Sequence, residues 1–140
     1  MREYKYENFQ NDLKKININK PDAIVAIARG GLTLAHHLAE IFDIREVFAI
    51  NAISYDKTKK KEKIDIFNIP NLHGFKNILI VDDISDSGET FIEVLKLLKE
   101  KYPDLNFKTL SIFYKPTSKF KPDFYFHKTT EWIKFFWEKY

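Results

Sequence analysis

The stretch Ile78-Leu79-Ile80-Val81-Asp82-Asp83-Ile84-Ser85-Asp86-Ser87-Gly88-Glu89-Thr90 joins a continuous apolar run to two adjacent acids and then to a turn of hydroxyls around one glycine. Four consecutive apolar residues suit a strand covered on both faces. Phe91, Val94, Leu95 and Leu98 follow at helical spacing, which predicts a helix over Glu89–Lys101. The acids therefore stand at a strand's carboxyl end and the hydroxyls at a helix start. Carboxylates there accept hydrogen bonds from sugar hydroxyls or hold a hydrated Mg²⁺, while free N–H groups at a helix start bind phosphate. Together the parts describe a site for a phosphorylated sugar.

Outward from this segment the chain alternates strands and helices. Ala23–Ala28 is a second apolar run, and after Arg29-Gly30-Gly31 the residues Leu32, Ala35, Leu38, Ala39 and Phe42 return to helical period. Residues 4–16, with Phe9, Leu13 and Ile16, predict a first helix; Val47–Ser54, Asn77–Val81 and Phe107–Tyr114 predict further strands. Residues 55–63 are polar and Lys-rich, a candidate mobile loop, and the Ile64-Asp65-Ile66-Phe67 alternation predicts a hairpin arm. This order predicts an α/β fold, a mostly parallel central sheet flanked by helices, binding ligand at the carboxyl edge of its strands. Both Arg29-Gly30-Gly31 and Asp82-Asp83 fall at that edge. The tail from Lys115 is aromatic, ends in Trp132-Ile133-Lys134-Phe135-Phe136-Trp137, and is expected to form a small flap, or hood, on a core of about residues 1–114.

With 140 residues the chain suits a single domain with one active site. It has no cysteine, which excludes disulfides, thiolate metal sites and cysteine nucleophiles. The net charge of +3 is small, and its lysines are spread along the chain apart from Lys57, Lys59, Lys60, Lys61 and Lys63. A nucleic-acid footprint needs a more concentrated basic face, so no nucleic-acid partner is expected. The amino terminus Met1-Arg2-Glu3-Tyr4-Lys5 is charged from the start and no run reaches the length of a membrane span, so a cytoplasmic protein without a membrane partner is expected. His36 and His37 are adjacent on their helix, and His73 and His127 are remote in sequence, so the histidines predict no metal set.

The thirteen-residue segment strongly resembles the phosphoribosyl pyrophosphate (PRPP) signature of type I phosphoribosyltransferases: apolar strand, two acids, a third acid at Asp86, then Ser87-Gly88 and Thr90. A rival reading of the acids, the aspartate cluster of metal-dependent phosphotransfer proteins, does not need the hydroxyl-glycine-hydroxyl turn. The resemblance implies that Asp82 and Asp83 engage the ribose hydroxyls and the Mg²⁺ environment, the metal lying at Asp83 with Asp82 beside it and partly held through PRPP and water. It implies that Asp86, Ser87, Gly88, Glu89 and Thr90 wrap the 5′-phosphate, with the Glu89 side chain turned to solvent. Asp86 is also implied as the proton-handling residue near purine N7. Arg29-Gly30-Gly31 resembles the family's pyrophosphate loop, with a non-proline cis peptide expected between Arg29 and Gly30. Ser54-Tyr55 resembles the opening of the flexible loop over the reaction centre, whose lysines could meet the pyrophosphate.

Lys115 and Trp132 lie after the PRPP segment at spacings similar to those in small bacterial xanthine-guanine and hypoxanthine (6-oxopurine) phosphoribosyltransferases. The resemblance implies that Lys115 donates to purine O6, that Trp132 stacks on the base, and that backbone carbonyls near Trp132 and Ile133 read the ring edge. An ammonium is donor-only and so favours a 6-oxo group over a 6-amino group. Phe136 stands where a proline is common in the family. The implied activity is Mg²⁺-dependent transfer of the 5-phosphoribosyl group from PRPP to guanine, xanthine or hypoxanthine, with release of pyrophosphate, in a homodimer or homotetramer. A PRPP- or nucleotide-sensing regulator on the same fold, and a transferase for another base, remain the alternatives.

Overall fold

A computed structural model describes residues 1–55 and 63–138. Strand β2 (Ala23–Ala28) lies at the middle of a six-stranded sheet, between β3 (Val47–Tyr55) and β5 (Asn77–Ser85). The sheet continues through β4 (Lys63–Phe67) on one side and through β6 (Asn106–Tyr114) and β7 (Phe124–Lys128) on the other, in the order β4-β3-β2-β5-β6-β7. All neighbouring pairs are parallel except β3 with β4, the hairpin that the Ile64–Phe67 alternation predicts.

The apolar runs become central strands because both of their faces are covered. Ile24, Ala26, Leu79, Val81, Leu110 and Ile112 face the side that holds α1 (Tyr6–Lys14) and α2 (Leu32–Phe42), which contribute Phe9, Leu34, Ala35 and Leu38. Ala23, Val25, Ile27, Ile50, Ile78 and Ile80 face the other side, packed by Phe91, Val94 and Leu98 of α3 (Glu89–Lys101). Alternation along a strand sends successive side chains to opposite faces, so only a two-sided apolar strand can serve both layers. From β2 the chain passes through α2 to β3 on one side, and from β5 through α3 to β6 on the other. The carboxyl ends of β2 and β5 thus flank the point where the winding reverses, where sheets of this kind open a crevice.

The chain ends differ from the sequence expectation. The first helix begins only at Tyr6, because Arg2–Tyr4 forms a short strand β1 that pairs in parallel with β8 (Ile133–Phe135), Arg2 opposite Ile133 and Tyr4 opposite Phe135. The aromatic tail is not all flap: Phe124–Lys128 completes the main sheet beside β6, whereas β8 lies outside it. Three residues are too few for a periodic signal, and β1 exists through its partner 131 positions away rather than through its own propensity.

Tyr4 ties these pieces together. Its ring packs edge-on to Phe113 and Phe135, with centroids at 5.2 and 5.8 Å, and its hydroxyl donates to the buried carboxylate of Asp12 in α1. Burial and the Asp12 carboxylate both push the Tyr4 hydroxyl upward in pKa, so it stays protonated and donating at neutral pH. The same Asp12 oxygen lies 2.8 Å from Nε2 of His127 on β7. Asp12→Ala leaves the buried Tyr4 hydroxyl without its acceptor and is expected to cost about 1–3 kcal/mol of stability, read from urea unfolding. Asp12→Asn, which keeps an acceptor oxygen, is expected to lose less.

Candidate active site

β5 runs further than its apolar core and carries Asp82 and Asp83 within the strand. Each carboxylate accepts a hydrogen bond from the next backbone N–H: Asp82 Oδ1 from Asp83 at 2.8 Å and Asp83 Oδ1 from Ile84 at 2.7 Å. These bonds fix the acids at the strand's end, where the two carboxyl groups also lie within hydrogen-bonding reach of each other. Asp82 is buried, and burial together with the charge of Asp83 holds its carboxyl well above the usual carboxylate range. Asp83 is also raised by burial, its hydrogen bonds to Asp82 and Ile84 working against the shift and the nearby Glu138 carboxylate adding to it. Two acids held this way favour a cation or a hydroxyl donor beside them.

The turn after β2 presses on this pair from the neighbouring strand. A Cβ at Gly30 would stand 2.6 Å from the Asp83 carboxylate, and one at Gly31 would stand 2.4 Å from the Val81 carbonyl. Only glycine lets the two strand ends approach so closely. The non-proline cis peptide is Ala28–Arg29, one bond earlier than expected. The reversal begins where β2 stops, and the Gly31 N–H returns to the Ile27 carbonyl at 2.8 Å to close the turn. Arg29 is exposed, and neither it nor the two glycines line the cavities described next.

Two cavities open at the carboxyl edge. One is walled by Asp82, Ile84, Ser85, Asp86, Ser87, Gly88 and Thr90, with Ser54 from β3 and Phe91 from α3. The other is walled by Asp83, Ile84, Asp86, Lys115, Glu131, Trp132, Ile133, Phe135 and Glu138. Asp86 and Ile84 belong to both and form the partition. Lys115 Nζ lies 2.9 Å from Asp86 Oδ1, so the partition is bridged by an ion pair, with the Asp86 side chain 59% exposed. Trp132 is 64% exposed, whereas Ile133 is buried. The Trp132 carbonyl accepts the Arg2 N–H at 2.9 Å, so the segment around Trp132 is held by the amino-terminal strand.

The turn before α3 is built around Gly88, which caps the helix with φ +88, where a Cβ would meet the Phe120 N–H nitrogen at 2.6 Å. Glu89 departs from expectation. Its side chain does not turn to solvent but forms an ion pair with Lys119 at 2.6 Å, and its N–H is bonded to Ser87 Oγ at 3.3 Å. Lys119, 30 positions further along the chain, holds the carboxylate beside the turn. Tyr55 is exposed and lines neither cavity, and the loop lysines Lys57 and Lys59 to Lys61 lie outside the described residues. Among the described residues no group of three or more His, Asp and Glu gathers as a metal site of its own. His37 contacts the Thr33 carbonyl and His127 contacts Asp12, away from these cavities. Glu138, Glu131 and Ser85 are site residues that sequence reasoning missed. Glu138 directly follows the aromatic tail that reading had singled out, but nothing local in sequence points it toward Asp83.

The model of the phosphoribosyl transferase domain matches residues 8–139. The chain belongs to this family. A xanthine-guanine phosphoribosyltransferase from Cereibacter sphaeroides is 34% identical over 124 residues, spanning 83% of this chain and 68% of that protein. One from Ruegeria is 33% identical over 125 residues with the same coverage. Among solved structures, a Helicobacter pylori xanthine-guanine-hypoxanthine phosphoribosyltransferase superposes with a TM-score of 0.88 at 42% identity, covering 99% of this chain and 94% of that one. A purine phosphoribosyltransferase from Pyrococcus horikoshii gives 0.81 at 31% identity, covering 100% and 97%.

The raised acids set a pH dependence. Asp82 binds its proton more tightly in the folded than in the unfolded chain, so the fold bears no penalty at a pH where both states are protonated and loses stability as pH rises through the raised folded value. Asp82→Asn is therefore expected to melt higher than the unsubstituted protein near pH 7 without added divalent cation, the difference closing toward about pH 4. Thermal unfolding followed across that range reads this directly.

Proposed function

We propose that the protein transfers the 5-phosphoribosyl group of PRPP to a 6-oxopurine, releasing pyrophosphate, in cytoplasmic purine salvage. The observation that carries this reading is the pair of cavities sharing Asp86. One offers carboxylates and a hydroxyl-lined helix start, as a ribose 5-phosphate needs, and the other offers a lysine and an exposed tryptophan, as an oxygen-bearing planar base needs. The xanthine-guanine and purine specificities in the names of its relatives support the choice of base.

Asp82 and Asp83 receive the ribose hydroxyls, and Ser87, Gly88 and Thr90 receive the 5′-phosphate. Pyrophosphate leaves toward Arg29-Gly30-Gly31, beside the Asp83 carboxylate that Gly30 approaches. Purine N9 forms its bond to C1′ as the bond from C1′ to the pyrophosphate oxygen breaks. When the purine O6 takes Lys115 as its donor, Lys115 lets go of Asp86, which is then free to accept the proton from N7. Positioning and electrostatics supply most of the acceleration. The donor set suits Mg²⁺, since carboxylate oxygens are the ligands a hard divalent cation takes and both acids are already disfavoured as bare anions. Asp83, with Asp82 beside it, would hold the ion partly through PRPP and water, and its charge would offset that of the leaving pyrophosphate. Exposed Ile53, Tyr55 and Phe67 on β3 and β4, with Leu32 and Ile41 on α2, support a homodimer or homotetramer, which light scattering after gel filtration tests.

Steady-state kinetics with PRPP, Mg²⁺ and a panel of guanine, xanthine, hypoxanthine and adenine tests the reading. Turnover is expected with at least one 6-oxopurine, with adenine at least about a hundredfold poorer in kcat/KM, and loss of activity on chelation. Lys115→Ala is expected to lower kcat/KM for the 6-oxopurine by about tenfold or more. Absence of PRPP-dependent turnover with all four bases overturns the proposal, and nucleotide binding without turnover points instead to a sensor on the same fold.

A further inference from the structure

Six residues beyond β6 make a second layer under the phosphate turn. The Lys115 N–H donates to the Ser85 carbonyl at 3.1 Å, and the Lys119 N–H donates to the Ser87 carbonyl at 2.9 Å. The hydroxyls of Ser85 and Ser118 lie 2.9 Å apart, and both reach the Phe120 carbonyl at 2.9 Å. Gly88 fits against Phe120 with no room for a side chain. The two loops are thus one unit, with Lys115 at its base end and Lys119 at its phosphate end. At that end stands Glu89, the first residue of α3, its side chain only 14% exposed and its Oε1 2.6 Å from Lys119 Nζ.

A carboxylate at this position is helped by the helix start but competes there with any phosphate for the same field, because like charges in a shared, partly desolvated site repel strongly. Lys119 lies outside both cavity walls, yet its ammonium cancels this carboxylate and its N–H holds the turn. We propose that Lys119 is a positioning residue for PRPP: by pairing with Glu89 and neutralising its charge, it makes the Ser87–Thr90 segment acceptable to the 5′-phosphate. This role rests on the PRPP reading above and extends it to a residue outside the signature. It also accounts for an acid in a phosphate turn.

Calorimetric titration of PRPP with Mg²⁺ in the absence of base tests the role separately from turnover, alongside steady-state KM and kcat. Lys119→Ala is expected to weaken PRPP binding and raise its KM by about tenfold, with the KM for the base and the kcat at saturating PRPP held within about twofold. Lys119→Arg is expected to retain affinity, and Glu89→Gln added to Lys119→Ala is expected to restore most of it. Lys119 is largely exposed, so the single variant is expected to fold, and an unchanged melting temperature checks this. Unchanged PRPP affinity in Lys119→Ala overturns the role while leaving the transferase reading intact. A double variant as weak as the single one overturns it too, by making Lys119 a direct phosphate ligand. Failure of the unsubstituted protein to bind PRPP overturns both readings at once.

Discussion

Two carboxylates held side by side at the end of a covered central strand are the constraint around which the rest of the structure is arranged. A lone buried acid costs several kcal/mol, and a second beside it adds repulsion, so the fold tolerates Asp82 and Asp83 only at its open edge, with backbone N–H groups capping each. The two-sided sheet supplies that place. Its faces are sealed by α1 and α2 on one side and α3 on the other, which leaves the carboxyl edge at the reversal of winding as the natural opening. Gly30 and Gly31 bring the neighbouring strand end against the pair, and Gly88 starts the helix that turns the chain away from it.

From this edge the chemistry divides by what each wall can donate or accept. The acids accept, the Ser87 and Thr90 hydroxyls donate, and Lys115 donates only. Asp86 stands between, paired with Lys115 while the base side is open. An ion pair across the partition keeps both groups satisfied until a ligand offers each a different partner. The distant Tyr4, Asp12 and His127 contribute by holding β1, and through it β8, so that Ile133 and Trp132 border the cavity they share with Lys115.

The parts readable in the sequence were those whose cause is local. Ala23–Ala28 and Ile78–Val81 are strands because their apolar continuity needs two covered faces, and Leu32 to Phe42 is a helix because its apolar residues keep one stripe. The grouping of Asp82, Asp86, Ser87, Gly88 and Thr90 around one cavity follows from their adjacency on one strand-turn-helix unit. Lys115, Trp132 and Ile133 also meet around a single cavity. What escaped depends on partners far along the chain. β1 exists through Ile133–Phe135, Phe124–Lys128 is a strand through β6, and Glu138 reaches Asp83 through the fold of the tail. Glu89 was expected in water because its partner Lys119 lies 30 positions away in a loop with no periodic signal. The cis peptide falls at Ala28–Arg29, a position that no property of Arg29 or Gly30 alone reveals.

The most direct single measurement is a crystal structure of the protein with guanosine 5′-monophosphate bound. The expected result places the phosphate on Ser87 to Thr90, the ribose hydroxyls on Asp82 and Asp83, and the base beside Trp132 with O6 on Lys115 and the Lys115–Asp86 pair opened. A nucleotide seated elsewhere, or one bound at this edge with that ion pair still closed and the base away from Lys115, would contradict it.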